Sequence, residues 1–175
     1  MNTYEINTDR IRENALTLKS GDRVFLSGTV YTARDAAHKR FFSLLDDGKP
    51  LPFDIHDAVI YYAGPTPTPV GMAIGSCGPT TSGRMDPYAP RLLDMGLGAM
   101  VGKGGRSAAV CDAIIRNKAV YLCAVGGAGA LAARCVTKCE VIAFEDLGCE
   151  SVKRLTIERF PLVVAIDCHG GTLFK

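Results

Sequence analysis

The stretch AMVGKGGRSAAVCDAIIRNKAVYLCAV, residues 99–125, decides the fold class. Ala99 to Val101 is a short apolar strand candidate. A glycine loop, Gly102–Lys103–Gly104–Gly105, follows it. Ser107 to Asn117 then places Val110, Ala113 and Ile114 on one helical face. Val120 to Val125 is apolar and reads as a buried strand. Strand, glycine turn, helix, strand is the repeating grammar of an α/β domain with a partly parallel sheet.

The same alternation continues outward in both directions. Asp22 to Tyr31 is β-branched and aromatic enough for a strand. Asp35 to Leu45 carries Ala36, Ala37, Phe41 and Leu44 at helical spacing. Val59 to Tyr62 predicts a short strand, and the Pro-rich run from Gly64 to Pro69 a rigid extended loop. Pro87 to Met95 predicts a short helix closed by Gly96. Beyond residue 125, a short Ala-rich helix precedes a strand at Val141 to Phe144, and Leu162 to Ile166 is a final strand. Asn2 to Lys19 starts polar, with a short helix through Ile11 and Leu16.

The chain has 175 residues, enough for one domain with a real core. Its net charge is +2, so nothing calls for nucleic acid or an anionic membrane surface. No apolar run reaches membrane-spanning length, and no leader pattern follows Met1. Seven scattered cysteines, an odd number, do not form a disulfide framework, which places the expectation in a reducing cytoplasm.

Three loops concentrate polar groups: Thr32–Ala33–Arg34–Asp35–Ala36–Ala37–His38, the run Gly78 to Asp86 (GPTTSGRMD), and Val101 to Ser107 (VGKGGRS). Each carries at least one cation, and two add glycines that let backbone N–H groups approach a ligand. Arg grips a carboxylate bidentately and Lys supplies a point charge. Convergence of these loops would bind a small dianion. Taken singly, each feature has a plainer reading. A lone Arg or Lys near a turn is ordinarily a solvated charge, Thr–Thr after Pro is turn chemistry, and His38 is a packing or surface residue. Cys135 and Cys139, four apart, could share a helical face, but the other cysteines lack matching spacing for a metal site.

Two phosphate-binding patterns can be tested. The Walker A pattern fails, because Leu97 replaces its first glycine and Gly104 follows Lys103 where Ser or Thr is needed. Gly127–Ala128–Gly129–Ala130–Leu131–Ala132 fits G-x-G-x-x-A after a strand, with Glu145 and Asp146 ending the next one. Its helix, however, is barely two turns. A nicotinamide-binding module using Gly127 and Gly129 therefore stays as an alternative, beside a non-catalytic diacid-binding protein.

The three loops, with Phe144 to Glu150 (FEDLGCE), resemble the C-terminal domain of class I, oxygen-sensitive fumarases, which also occurs as the beta subunit of fumarate and L-tartrate dehydratases. The resemblance runs from about Gly21 to the end, with departures at Ser82, Gly105 and Cys149. It implies one swivelling β/β/α domain over residues 1–175, with 1–20 as an N-terminal extension. It also implies a hydro-lyase interconverting fumarate and L-malate, or L-tartrate and oxaloacetate. Such an enzyme works with an alpha subunit whose cysteines hold a [4Fe–4S] cluster, and this chain would ligate no metal. A homodimer of this chain is compatible with that arrangement. By motif position, Arg34, Thr80, Thr81, Arg84 and Lys103 look like substrate contacts, with Thr80 and Lys103 as the proton-handling residues.

Overall fold

The computed structural model describes residues 1–174. In chain order the elements are β1 (Thr3–Asn7), α1 (Ile11–Ala15), β2 (Arg23–Thr32), α2 (Asp35–Asp46), β3 (Val59–Tyr61), α3 (Ala89–Asp94), β4 (Ala99–Gly102), α4 (Ala108–Arg116), β5 (Val120–Cys123), α5 (Gly129–Arg134), β6 (Val136–Ala143) and β7 (Val152–Ile166). Short 3-10 turns lie at Thr8–Arg10, Ser82–Met85 and Glu145–Glu150.

Strands β2, β3, β4 and β5 are successive parallel neighbours. The short ones are buried on both faces, as a covered parallel sheet requires. Ile60, Tyr62, Met100 and Tyr121 point one way, into a core shared with Phe41 of α2, Leu92 and Leu93 of α3, and Val110, Ala113 and Ile114 of α4. Val59, Tyr61, Val101, Val120 and Leu122 point the other way. They meet Val24, Leu26 and Val30 of β2 and Leu155, Ile157 and Leu162 of β7. Each helix thus buries the stripe its spacing marks, and the parallel strands separate two apolar cores.

The longest strand binds these parts together. β7 runs antiparallel to β2 from Lys153 to Val163, and its other edge pairs with β6 and then β5. β2 therefore bonds to β3 and β7, and β5 to β4 and β7. The five strands β2, β3, β4, β5 and β7 close on themselves, which removes open edges among them. β1 adds in parallel to β2, and Ile6, Ile11, Ala15 and Leu18 of the first eighteen residues join the inner core.

Four expectations need correction. β1 was not anticipated, because TYEIN buries fully only Ile6. β6 begins at Val136 rather than Val141, and β7 at Val152 rather than Leu162. In both, charged residues alternate with apolar ones, so no continuous apolar run marks the strand. Cys135 caps α5 and Cys139 lies in β6, so the two thiols share no helical face.

Candidate functional site

Because β2 to β5 run parallel, their C-terminal ends share one rim, the place where parallel α/β sheets hold ligands. β2 ends at Thr32 and leads through Arg34 into α2. β3 leads through Tyr62 to Gly64, β4 into Lys103, and β5 toward Gly126. The loop at 78–86 reaches the same rim. Pro79 bridges Ala63, and the Thr80 N–H donates to the Tyr62 carbonyl at 2.7 Å.

Backbone pairing joins this loop to the one after β4. Thr81 bridges Lys103, and the Ser82 N–H donates to the Lys103 carbonyl at 2.9 Å. The Lys103 N–H donates back to Ser82 Oγ at 3.1 Å. Below them the Tyr121 hydroxyl lies 2.8 Å from both Ser82 Oγ and the Gly104 carbonyl. Burial pushes the Tyr121 pKa well up, so the group stays a neutral donor. A Cβ on Gly102 would stand 1.9 Å from Ser82 Oγ, so only glycine allows this approach.

A buried ion pair fixes the far end of both loops. The Arg106 guanidinium is fully buried and donates through Nε to Asp86 Oδ1 at 2.7 Å. It lies 5.3 Å from the Tyr62 ring centroid and 4.9 Å from that of Tyr121. Asp86 Oδ2 accepts the Ser107 N–H at 2.6 Å, at the start of α4, where Ser107 Oγ caps Val110. Burial works against the Arg106 charge. Tyr62, Asp86 and Tyr121 outweigh it and hold its pKa above the usual value.

The sequence-predicted residues all line this rim, in different states. Arg84, half-exposed, uses Nε and Nη2 to grip Asp35 at 2.9 and 2.8 Å, which ties the 78–86 loop to the start of α2. Arg34 is less committed. Its Nε is buried without a hydrogen-bond partner among the described residues, with Asp35 at 3.9 Å and Glu150 at 4.0 Å. Lys103 is exposed, and its stem passes Gly126, whose added Cβ would lie 3.6 Å from Cδ. Thr80 is half-buried and Thr81 exposed. Asp35 pairs with Arg84 and Asp86 with Arg106, and Glu150 stands 4.0 Å from Arg34, so the three cations Arg34, Arg84 and Lys103 outnumber the two carboxylates Asp35 and Glu150 beside them.

His38 is a packing residue. It is buried against Phe41, Tyr62 and Tyr88, and Nδ1 donates to the Arg34 carbonyl at 2.8 Å. Burial lowers its pKa to about 4. Sequence reasoning gave no role to Asp86, Ser82, Arg106 or Tyr121, although the first three lie inside the quoted loops. An Arg within a glycine loop was a signal for a carboxylate partner; Tyr121 in an apolar strand gave none. Lys153 and Glu150 were also unassigned.

The dinucleotide pattern takes another form. β6 does not lie beside β5, because β7 separates them, so no βαβ unit forms. A Cβ on Gly129 would meet Ser76 Oγ at 2.4 Å and the Gly78 nitrogen at 2.9 Å. That glycine serves close packing beneath the 78–86 loop. Among the described residues, no three His, Cys, Asp or Glu side chains group as a metal site. Among the described residues, no helix is long and apolar enough to cross a membrane.

The family model described as Fumarase C-terminus matches residues 1–175. This chain belongs to the fumarase C-terminus family. As a member, it is 38% identical over 170 residues to fumarate hydratase 2 of Leishmania major, covering 95% of this chain and 30% of that protein. It is 42% identical over 156 residues to the anaerobic class I fumarate hydratase of Escherichia coli (strain K12), covering 87% of this chain and 28% of that one. It is 37% identical over 170 residues to a putative L(+)-tartrate dehydratase subunit beta of Methanocaldococcus jannaschii, covering 94% of this chain and 87% of that subunit. The chain therefore spans less than a third of the fumarate hydratases and most of the tartrate dehydratase subunit. The family resemblance drawn from the loop motifs is borne out.

Proposed function

We propose that this chain supplies the carboxylate-binding half of a hydro-lyase site acting on a C4 dicarboxylate, fumarate/L-malate or L-tartrate/oxaloacetate. The observation that carries the reading is the cationic rim. Arg34 and Lys103 follow the C-terminal ends of parallel strands and Arg84 lies in the loop that reaches the same rim, in a family whose named relatives are fumarate hydratases and a tartrate dehydratase subunit. The two cores and the long crossing strand support a swivelling β/β/α domain.

The partner in this reading is an alpha subunit, or the equivalent domain, that holds a [4Fe–4S] cluster. The cysteines here do not fit that cluster. They are not grouped among the described residues, and burial raises the thiols of Cys77, Cys123 and Cys139, with Cys77 pushed up to about 12. The cluster, held by the partner, would supply Lewis acidity toward the leaving hydroxyl.

This chain's residues then act on the other end of the substrate. A carboxylate gains charge when the adjacent carbon loses its proton, and Arg34, Arg84 and Lys103 stabilise that charge. Thr80 Oγ is the group assigned to take the proton, its own hydroxyl proton passing first into a relay on the partner. A threonine alkoxide is costly in isolation, and the cationic rim lowers that cost. Lys103 shares the proton-handling role. The test is anaerobic assay of the chain alone and assembled with a cluster-bearing partner. The assembly is expected to dehydrate L-malate or L-tartrate, and the isolated chain to be inactive. Saturable dicarboxylate binding without turnover in any assembly would replace this reading with a diacid-binding protein.

A further inference from the structure

The 144–150 segment reaches Arg34, the rim cation whose Nε is buried without a hydrogen-bond partner among the described residues. Its backbone folds as a 3-10 turn interrupted at Gly148, with φ +60° and ψ −118°. Such a loop needs an internal anchor, and Lys153 provides it. The Lys153 side chain enters from β7, and its Nζ donates among the carbonyls of Gly148 at 3.3 Å, Cys149 at 3.2 Å and Ser151 at 3.3 Å, and Ser151 Oγ at 2.7 Å. The residue is only 8% exposed, and no carboxylate pairs with it among the described residues. A buried ammonium spent on loop carbonyls fixes the path of the chain.

The path so fixed delivers Glu150 to the start of α2. Glu150 Oε1 accepts the Ala36 N–H at 3.2 Å and stands 4.0 Å from Arg34 Nε. The Cys149 carbonyl flanks Gly64, over which the Arg34 side chain lies; a Cβ there would meet Arg34 Cδ and Nη1 at 2.9 Å. Two guanidiniums, Arg34 and Arg84, thus face two carboxylates, Asp35 and Glu150. Asp35 is gripped by Arg84. Without Glu150, Asp35 at 3.9 Å is the remaining carboxylate within 4.0 Å of Arg34 among the described residues, and the two arginines compete for it.

We propose that Glu150 is a positioning residue for Arg34, held in place by Lys153, keeping the guanidinium oriented while its donors stay free for a substrate carboxylate. The inference rests on the proposed role of Arg34 in binding the dicarboxylate. It differs in sign from a simple field effect. A carboxylate beside a binding cation weakens anion affinity by Coulomb's law, so removing it would lower KM if charge alone mattered. Loss of positioning raises KM.

The experiment is steady-state kinetics of Glu150→Ala, Lys153→Met and Arg34→Met in the assembled enzyme, with hydrogen–deuterium exchange on the 33–38 segment. Glu150→Ala is expected to lower kcat/KM about tenfold or more, with KM raised and kcat reduced, and to speed exchange at Ala36. Lys153→Met should act in the same direction, and Ser151→Ala does so more mildly if Lys153→Met fails to fold. In the Arg34→Met background Glu150→Ala should add nothing. A raised KM for Arg34→Met with an unchanged or lowered KM for Glu150→Ala overturns the positioning role alone. An unchanged KM for Arg34→Met removes the substrate-binding reading and the positioning role with it.

Discussion

Replacing Arg106 by Met tests whether the loop architecture rests on one buried ion pair. The Arg106 side chain is 0% exposed and that of Asp86 16%, with Nε to Oδ1 at 2.7 Å. Met keeps the apolar stem between Tyr62 and Tyr121 but strands the Asp86 carboxylate. Breaking a buried pair from one side costs about 3–5 kcal/mol, because the surviving charge stays desolvated. The Ser107 N–H still reaches Asp86 Oδ2 at 2.6 Å, which favours the lower end. For a domain of this size that is a fall in Tm of roughly 6–20 °C. The double variant Arg106→Met/Asp86→Asn should recover part of the loss, since no orphan charge remains. Thermal and urea denaturation of these two variants and of Asp86→Asn alone decide it. A single-variant loss below about 1 kcal/mol, or a double variant that is merely additive, would refute the reasoning.

Two further outcomes follow from the same geometry. His38 ordinarily titrates at 6.5 and is held at about 4 by burial, so the unfolded chain binds its proton first as pH falls. Stability is full above pH 6.5 and declines toward pH 4, by about 3 kcal/mol from this group, as denaturation midpoints across that range should show. His38→Phe should flatten that slope; an unchanged slope excludes His38 as its source. Gly102→Ala, which drives a Cβ into Ser82 Oγ, should cost about 1–3 kcal/mol by overpacking and loosen the Lys103 backbone, seen as faster amide exchange at residues 102–104.

What the sequence made legible follows from how each element is buried. The 99–125 unit was readable because α4 buries one stripe and β4 and β5 are apolar throughout. β7 was not, because Lys153, Arg154, Thr156 and Glu158 interrupt its apolar residues, and its closure against both β2 and β5 is a long-range fact. The candidate site followed the same division. Arg34, Thr80, Thr81, Arg84 and Lys103 sit in polar loops whose composition marks them. Tyr121 and Lys153 act on those loops from inside strands, where a hydroxyl or an ammonium looks like ordinary strand chemistry until its partners are known. Gly129 matched a dinucleotide pattern, yet its reason for being glycine is the neighbouring 76–78 backbone.

Lys103 offers the most direct test of the central claim that this rim binds the substrate's carboxylate. It is exposed and joins no ion pair among the described residues, so its charge can be removed without orphaning another. Lys103→Met in the assembled enzyme should leave Tm unchanged. It should lower kcat/KM by about 2–5 kcal/mol, roughly 30- to 4000-fold, the usual loss for one charge-assisted contact to a carboxylate. Arg154→Met on the outer face of β7 is the control and should stay near wild type. Efficiency within about threefold of wild type for Lys103→Met, at equal assembly and cluster content, would contradict the account.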